Sequence, residues 1–377
     1  MATISVQDLT KSFGDFQAVR AASFAVPDGS FFVMLGPSGC GKTTTLRMIA
    51  GLELPTSGRI LLDGEDVTFL RASQRDIAFV FQLFALYPHM NVRANIAYPL
   101  RSEGVPRAEI RTRVEEAART LRIGHLLDRS VSGLSSGDRQ RVALGRAIVR
   151  KPKAFLMDEP LGALDSELRE AMIGELRALH DRIGATTVYV THDQLEAMAM
   201  ADQIAVMNNG VVEQLGAPQE IYDRPASAFV ADFIGSPPMN LLPFHDRLAP
   251  GQRHVRAGDA EIAVPELRQA LPPGEHFLGA RPEHVRIDAA GPLAGVVFGL
   301  EYLGSTQIVS IETAVGVVKA RLAAQLRLVP GEHVRLAFDT DRLSVFAAGS
   351  GRAVQTARDE KPMRRTPRGR TEERGHG

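Results

Sequence analysis

Phe31-Phe32-Val33-Met34-Leu35-Gly36-Pro37-Ser38-Gly39-Cys40-Gly41-Lys42-Thr43-Thr44 decides the fold of this chain. Five consecutive apolar residues have the length of a strand buried on both faces, and Gly36 ends them in a turn. Glycines at 36, 39 and 41 let backbone N–H groups wrap an anion without interference from Cβ atoms. The pattern G-x-x-x-x-G-K-[ST] between a strand and a helix is that of a phosphate-binding loop. In such a loop Lys42 brings a point charge to the β- and γ-phosphates, and the Thr43 hydroxyl ligates Mg²⁺. The following helix turns its positive N-terminal end toward the anion. Pro37, Ser38, Cys40 and Thr44 complete the candidate nucleotide-binding set. Cys40 sits at a helix N-terminus, a setting that lowers a thiol pKa; alternatively it is only a small residue in a tight loop.

Working outward, other short apolar runs end in polar chemistry. Ala154–Met157 ends at Asp158-Glu159, Thr187–Val190 at Thr191-His192, and Phe79-Val80-Phe81 at Gln82. Helical patterns separate these runs: Pro106 opens one with Ile110, Val114, Ala117 and Leu121 on one face. Another starts at Ser166, with Leu168, Met172, Leu176, Leu179 and Ile183. Alternation of this kind predicts an α/β fold with a mainly parallel sheet, which binds ligands beyond the C-terminal ends of its strands. Asn209-Gly210 reads as a hairpin turn. At the ligand edge, Asp158 is expected to hold Mg²⁺ through water, and Glu159 to polarise the attacking water. The other reading of the two acids is a solvated corner. The Gln82 amide oxygen is a further Mg²⁺ ligand candidate. His192 either contacts the γ-phosphate or partly caps a helix starting near Asp193. Phe13 either stacks on adenine or packs in the core.

Leu134-Ser135-Ser136-Gly137-Asp138 precedes a basic helix read over 138–150. Ser135 and Gly137 place a hydroxyl and a bare backbone at its start, which makes a second anion site by helix-dipole logic. A plain N-cap by Ser135 or Asp138 is the alternative. Two anion sites and one nucleotide per chain make sense if each copy covers its neighbour's nucleotide. The 44 basic and 44 acidic residues cancel, which argues against a nucleic-acid partner. The single cysteine excludes an intrachain disulfide and fits a reducing compartment. The N-terminus lacks a secretory pattern and no apolar run approaches the roughly 20 residues of a membrane span. The expected location is therefore cytoplasmic, with any membrane role exercised through a partner. Past Gly235-Ser236-Pro237-Pro238, strand-like segments dominate: Gln307–Glu312, Val317–Leu322, Val334–Phe338 and Leu343–Phe346. The expected domains are 1–235, a β domain at 236–350, and a disordered Arg-rich tail at 351–377. Phe84, Ala85, Leu86, Tyr87 and Pro88 offer either an apolar docking patch or core packing.

Taken together, these ordered motifs resemble the ATP-binding cassette family. That resemblance implies a P-loop cassette with a helical subdomain, then a smaller β-rich, OB-like domain, ATP and Mg²⁺ as ligands, and ATP hydrolysis. It implies a head-to-tail homodimer in which Lys42 and Thr43 of one subunit and Ser135 and Gly137 of the other hold each ATP. Glu159 becomes the general base, His192 a γ-phosphate contact, Asp165 a contact across the dimer, and Phe13 the aromatic under adenine. Phe233–Asn240, Gly279–His284 and Glu301–Ser305 look like the maltose and glycerol-3-phosphate group of importer ATPases. The partners implied are two membrane-spanning permease subunits on the inner membrane's cytoplasmic face and, indirectly, an extracytoplasmic solute-binding protein. Importers of polyamine, sulfate or iron use the same machinery, and a P-loop kinase or a soluble cassette acting on nucleic acid or ribosomes are more distant alternatives. Two departures stand out: Ser136 where the family usually has Gly, and Asp138 where it usually has Gln. Asp138 is tolerated if it lies along the helix N-terminus and weakens ATP binding if it faces the phosphates.

Overall fold

The computed structural model describes residues 2–360, in two compact units that divide between Ile221 and Tyr222. In the first unit, β1 (Ile4–Phe13) and β2 (Phe16–Val26) form an antiparallel hairpin. The strand β3 (Phe31–Leu35) is buried throughout, as its five apolar residues require, and the loop delivers the chain into α1 (Lys42–Ala50). Next, β4 (Ser57–Leu62) and β5 (Glu65–Asp66) complete a four-stranded sheet of order β2-β1-β4-β5. After β6 (Ile77–Val80) come three helices, α2 (Val92–Ser102), α3 (Arg107–Thr120) and α4 (Ser136–Ile148). Then follow β7 (Ala154–Asp158), α5 (Ser166–Ile183), β8 (Thr186–Thr191), α6 (Gln194–Met200), β9 (Gln203–Asn208) and β10 (Val211–Gly216).

The six-stranded sheet has the order β10-β9-β3-β8-β7-β6, parallel from β9 to β6. Only β10 runs antiparallel, returned by the hairpin turn at Asn209 and Gly210, both in the left-handed region. A single core joins the two sheets with α1: Phe24 of β2 stacks on Phe32 of β3 with ring centroids 5.2 Å apart, over Leu46, Ile49, Leu156 and Val188. Of the predicted helix faces, Ile110, Val114 and Ala117 on α3, Leu121 at its C-cap, and Met172, Leu176 and Leu179 on α5 are buried, while Leu168 and Ile183 are half-buried. Helix α4 starts at Ser136, two residues before the start read from the sequence. The reason is that Ser135, not Asp138, is its N-cap.

A short helix α7 (Pro218–Asp223) carries the chain across the boundary, and α8 (Ala228–Phe233) belongs to the second unit. The boundary therefore precedes Gly235: Ala231 of α8 packs with Met239 and Phe346, so the helix goes with the strands that follow it. The remainder is antiparallel β structure. Its strands are β11 (Asn240–Leu248), β12 (His254–Ala257), β13 (Ala260–Ala263), β14 (Leu271–Ala280), β15 (Val285–Ile287), β16 (Leu293–Tyr302), β17 (Thr306–Thr313), β18 (Gly316–Ala323), β19 (His333–Phe338) and β20 (Ser344–Ala347). They form sheets of order β11-β14-β20, β12-β13 and β15-β19-β16-β17-β18 around a core of their own, the β-rich, OB-like architecture expected. The expected tail is ordered at its start. Val354 and Thr356 are buried, and Val354 N–H donates to Val345 O at 2.7 Å, so residues 351–360 extend this unit. The rest of the predicted tail, 361–377, lies outside the described residues.

Candidate active site

The loop after β3 is closed by backbone contacts that admit only glycine. A Cβ at Gly36 would lie 2.2 Å from Met207 O, and one at Gly41, where φ is +102°, would lie 2.5 Å from Ala18 O. Inside the loop the Lys42 side chain is buried, and its ammonium donates to Gly36 O at 2.7 Å and Pro37 O at 2.9 Å. Cys40 lies beneath it, Sγ 3.8 Å from Lys42 Nζ. Burial pushes the Cys40 thiol up, and the nearby Lys42 charge only partly opposes this. A thiol activated by the helix N-terminus is thus corrected to the small buried residue.

Because β3, β8, β7 and β6 are parallel neighbours, their C-terminal ends share one edge. There the Thr43 hydroxyl donates to Asp158 Oδ1 at 2.8 Å across the start of α1 and the end of β7. Burial pushes the Asp158 carboxyl up, with the Thr43 hydrogen bond pulling the other way. Glu159 holds φ at +42°, and its N–H donates to Val190 O at 3.0 Å. That backbone twist separates the two acids. Asp158 faces Thr43, while Glu159 Oε2 lies 3.1 Å from His192 Nδ1. Neither acid is a solvated corner; the Glu159 side chain is only 18% exposed. Gln82 enters the same neighbourhood: a Cβ on Gly162 would lie 3.4 Å from Glu159 O and 3.7 Å from Gln82 Nε2.

His192 does not cap α6. The cap is Asp193, whose Oδ1 accepts the N–H groups of Leu195 and Glu196. Glu196 was not legible as a site residue. Its buried Oε2 accepts the hydroxyls of Thr191 and Tyr189, both at 2.7 Å, and so fixes the turn that presents His192. The only signal in the sequence is an acid placed four residues after His192. Phe13 is 49% exposed, with Lys11 Nζ 4.7 Å from its ring centroid, so it is not a core residue. Its hairpin adjoins the loop, since Ala18 of β2 abuts Gly41.

Ser135, Gly137 and Asp165 form a second set, held by α4 and α5. Ser135 Oγ accepts the Asp138 N–H at 3.1 Å, and Asp165 Oδ1 accepts the Leu168 N–H at 2.9 Å. Gly137 is buried against Leu168, where a Cβ would come within 3.1 Å of the leucine side chain. Among the described residues, no hydrogen bond or ion pair joins this set to the loop 36–44. In the segment after Gln82, Phe84 is buried at 7% exposure and belongs to the core, while Leu83 is 80% exposed. Of the two readings of residues 84–88, core packing holds for Phe84, and the large exposed apolar side chains here are Phe81 and Leu83. Arg146 of α4 holds this segment by donating to Phe84 O at 2.9 Å and Ala85 O at 2.6 Å.

The ABC transporter family model matches residues 19–162, and the TOBE domain model matches residues 278–346. The chain is 46% identical to the trehalose/maltose import ATP-binding protein MalK of Thermococcus litoralis, over 94% of this chain and 100% of that one. The chain belongs to the ABC transporter ATP-binding family. This ABC ATPase is also 47% identical to the sn-glycerol-3-phosphate import ATP-binding protein UgpC 3 of Rhizobium etli, over 93% of this chain and 99% of that one. With the trehalose import ATP-binding protein SugC of Mycobacterium tuberculosis the identity is 45%, over 93% and 98%. A solved structure from Clostridium perfringens, described as part of the ABC transporter complex cbiONQ, matches with a TM-score of 0.55 at 29% identity. It covers 58% of this chain and 89% of that one. The ABC ATPase binds ATP and hydrolyses it, and the family read from its motifs is borne out. Among the described residues no helix is long and apolar enough to cross a membrane.

Proposed function

We propose that this ABC ATPase works as a head-to-tail homodimer that drives import of a sugar or glycerol-3-phosphate through a pair of membrane-spanning permease subunits. The observation that carries the hydrolysis step is the Glu159–His192 contact beside the Thr43–Asp158 pair, at the ends of adjacent parallel strands. In this reading Gly36 to Thr44 cradle the phosphates, Lys42 leaves the loop carbonyls for the β- and γ-phosphates, and Phe13 supports the adenine. Glu159 acts as general base toward the attacking water, and His192 holds the γ-phosphate and orients Glu159. The adjacent oxygens of Thr43 and Asp158 are a hard donor set that suits Mg²⁺, to which the Gln82 amide oxygen would add. Bound there, Mg²⁺ would neutralise charge on the phosphates during transfer. Ser135 and Gly137 of each copy complete the partner's site, and Asp165 lies across the interface.

ATP then favours the closed dimer because the turn at Ser135 meets the γ-phosphate only when two copies associate, and hydrolysis removes that contact. In this reading Leu83 and Phe81 give the permease subunits an apolar foothold, and the protein works at the cytoplasmic face of the inner membrane. The solute reaches the permease from an extracytoplasmic binding protein that does not touch this chain. Support for the solute class comes from the relatives, which are import proteins for trehalose, maltose and glycerol-3-phosphate.

The test is Glu159→Gln. Phosphate release should fall at least ~100-fold, the order a general base contributes, while ATP-dependent dimers accumulate in size-exclusion chromatography. Wild-type turnover in this variant would overturn the base assignment. Co-purified permease subunits reconstituted in vesicles should import labelled maltose, trehalose or glycerol-3-phosphate with ATP. Import of a polyamine, sulfate or iron instead would overturn the solute class and leave the ATPase intact.

A further inference from the structure

We propose that Asp138 is a positioning residue that withholds the Ser135 hydroxyl from the partner's nucleotide and so raises the ATP concentration needed for turnover. The proposal rests on the head-to-tail reading above. Ser135 Oγ donates to Asp138 Oδ2 at 2.7 Å while it accepts the Asp138 N–H at 3.1 Å. The other carboxylate oxygen, Oδ1, takes Arg141 Nη1 at 3.3 Å. Arg141 in turn makes a two-pronged pair with Glu175 of α5, Nε to Oε2 and Nη2 to Oε1, both at 3.1 Å. Ser135, Asp138, Arg141 and Glu175 thus form one chain of hydrogen bonds from the turn at 135 to the neighbouring helix.

A hydroxyl has one proton to donate. While it points at Asp138 it cannot point at a phosphate, so the nucleotide has to take the donor from a carboxylate. That exchange strips a charge-assisted hydrogen bond from Asp138 and brings phosphate charge up to it. A neutral side chain at 138 removes both obstacles. Arg141 and Glu175 set how firmly Asp138 holds on, because they fix the carboxylate that faces Ser135. Asp138 lies in the first turn of α4, along the helix N-terminus, where its carboxylate is engaged by Ser135 and Arg141. Its influence runs through Ser135.

The test uses the full-length chain and compares ATP KM and kcat for wild type, Asp138→Asn, Ser135→Ala and the double variant, with thermal melting of each. A hydrogen bond to a charged group exceeds a neutral one by enough for about a fivefold effect, so Asp138→Asn should lower the ATP KM by about that factor. In the Ser135→Ala background the same change should move KM less than twofold. Should the Asn chain melt early, Asp138→Gln is read in the same way. An unchanged or raised KM in Asp138→Asn overturns the proposal. An equal fall in both backgrounds also overturns it, because the charge would then act on the phosphates directly. If Ser135→Ala itself behaves as wild type, the head-to-tail reading fails and this proposal with it. An impaired Ser135→Ala with a silent Asp138→Asn sinks only the role of Asp138.

Discussion

Glu196 is the buried charge on which the position of His192 depends. Burial pushes its carboxyl above the ordinary range, while the Thr191 and Tyr189 hydroxyls pull it back only in part. The folded chain therefore keeps the Glu196 proton to a higher pH than the unfolded chain does. Between the two values the unfolded state binds fewer protons, so stability falls as pH rises. Glu196→Gln has nothing to ionise there. Its melting temperature relative to wild type should climb as pH rises from about 4.5 through the raised value, then level off. A difference that stays flat across that window would show that the carboxyl is not raised. At the loop, Gly36→Ala would drive a methyl against Met207 O, 2.2 Å away, which neither backbone can relieve locally. Equilibrium binding of a fluorescent ATP analogue should be lost, and binding at wild-type affinity would contradict the closed loop. Lys42 and Thr43 were legible because they close the glycine-spaced loop after an apolar run, and Glu159 and His192 because each stands just past such a run. Glu196 was not, since its role comes from hydroxyls on a neighbouring strand.

At the scale of elements, two buried arginines terminate helices in the same way. Arg75 donates Nη1 to Met48 O and Ile49 O at 2.7 and 2.8 Å, Nη2 to Thr68 O at 2.9 Å and Nε to Leu70 O at 3.0 Å. It thus satisfies the last carbonyls of α1 and sits at the negative end of its dipole. Gly51, at φ +73°, leaves the room: a Cβ there would lie 2.6 Å from Arg75 Nε. Arg281 repeats the arrangement on α8, bonding Ala231 O, Ile234 O and Tyr222 O beside Gly235. Arg75→Met leaves several carbonyls buried without donors, and urea unfolding should show a loss of about 3 kcal/mol. A loss below about 0.5 kcal/mol would mean that water replaces the guanidinium. The strand β14 shows the opposite limit of sequence reading. Pro272-Pro273 breaks its pattern, yet the chain pairs with β11 because the register shifts there, from Leu271 opposite Leu248 to Gly274 opposite Asp246, and leaves both prolines out of the ladder.

For the whole molecule, two separate cores predict two unfolding events. Scanning calorimetry of the full chain should resolve two transitions, and ADP at a hundred times its dissociation constant should stabilise only one, by about 2.7 kcal/mol. A single transition, or an equal shift of both, would contradict this. The sequence by itself determined the phosphate-binding loop, the alternating α/β first unit and the β-rich second unit, and its ordered motifs carried the resemblance to the ABC family. Those follow from periodicity, glycine placement and motif order, which are local properties of the chain. It left undetermined where the units divide, because Ala231 is assigned by its contact with Phe346 more than a hundred residues later. It also left open whether Phe84 faces solvent, and which partners the Asp138 carboxylate takes. Only the tertiary structure decided these, because burial and hydrogen-bond partners are set by distant segments. The carboxylate of Asp138 meets Ser135 within its own turn, but it is steadied by Arg141 and, through it, by Glu175 from another helix.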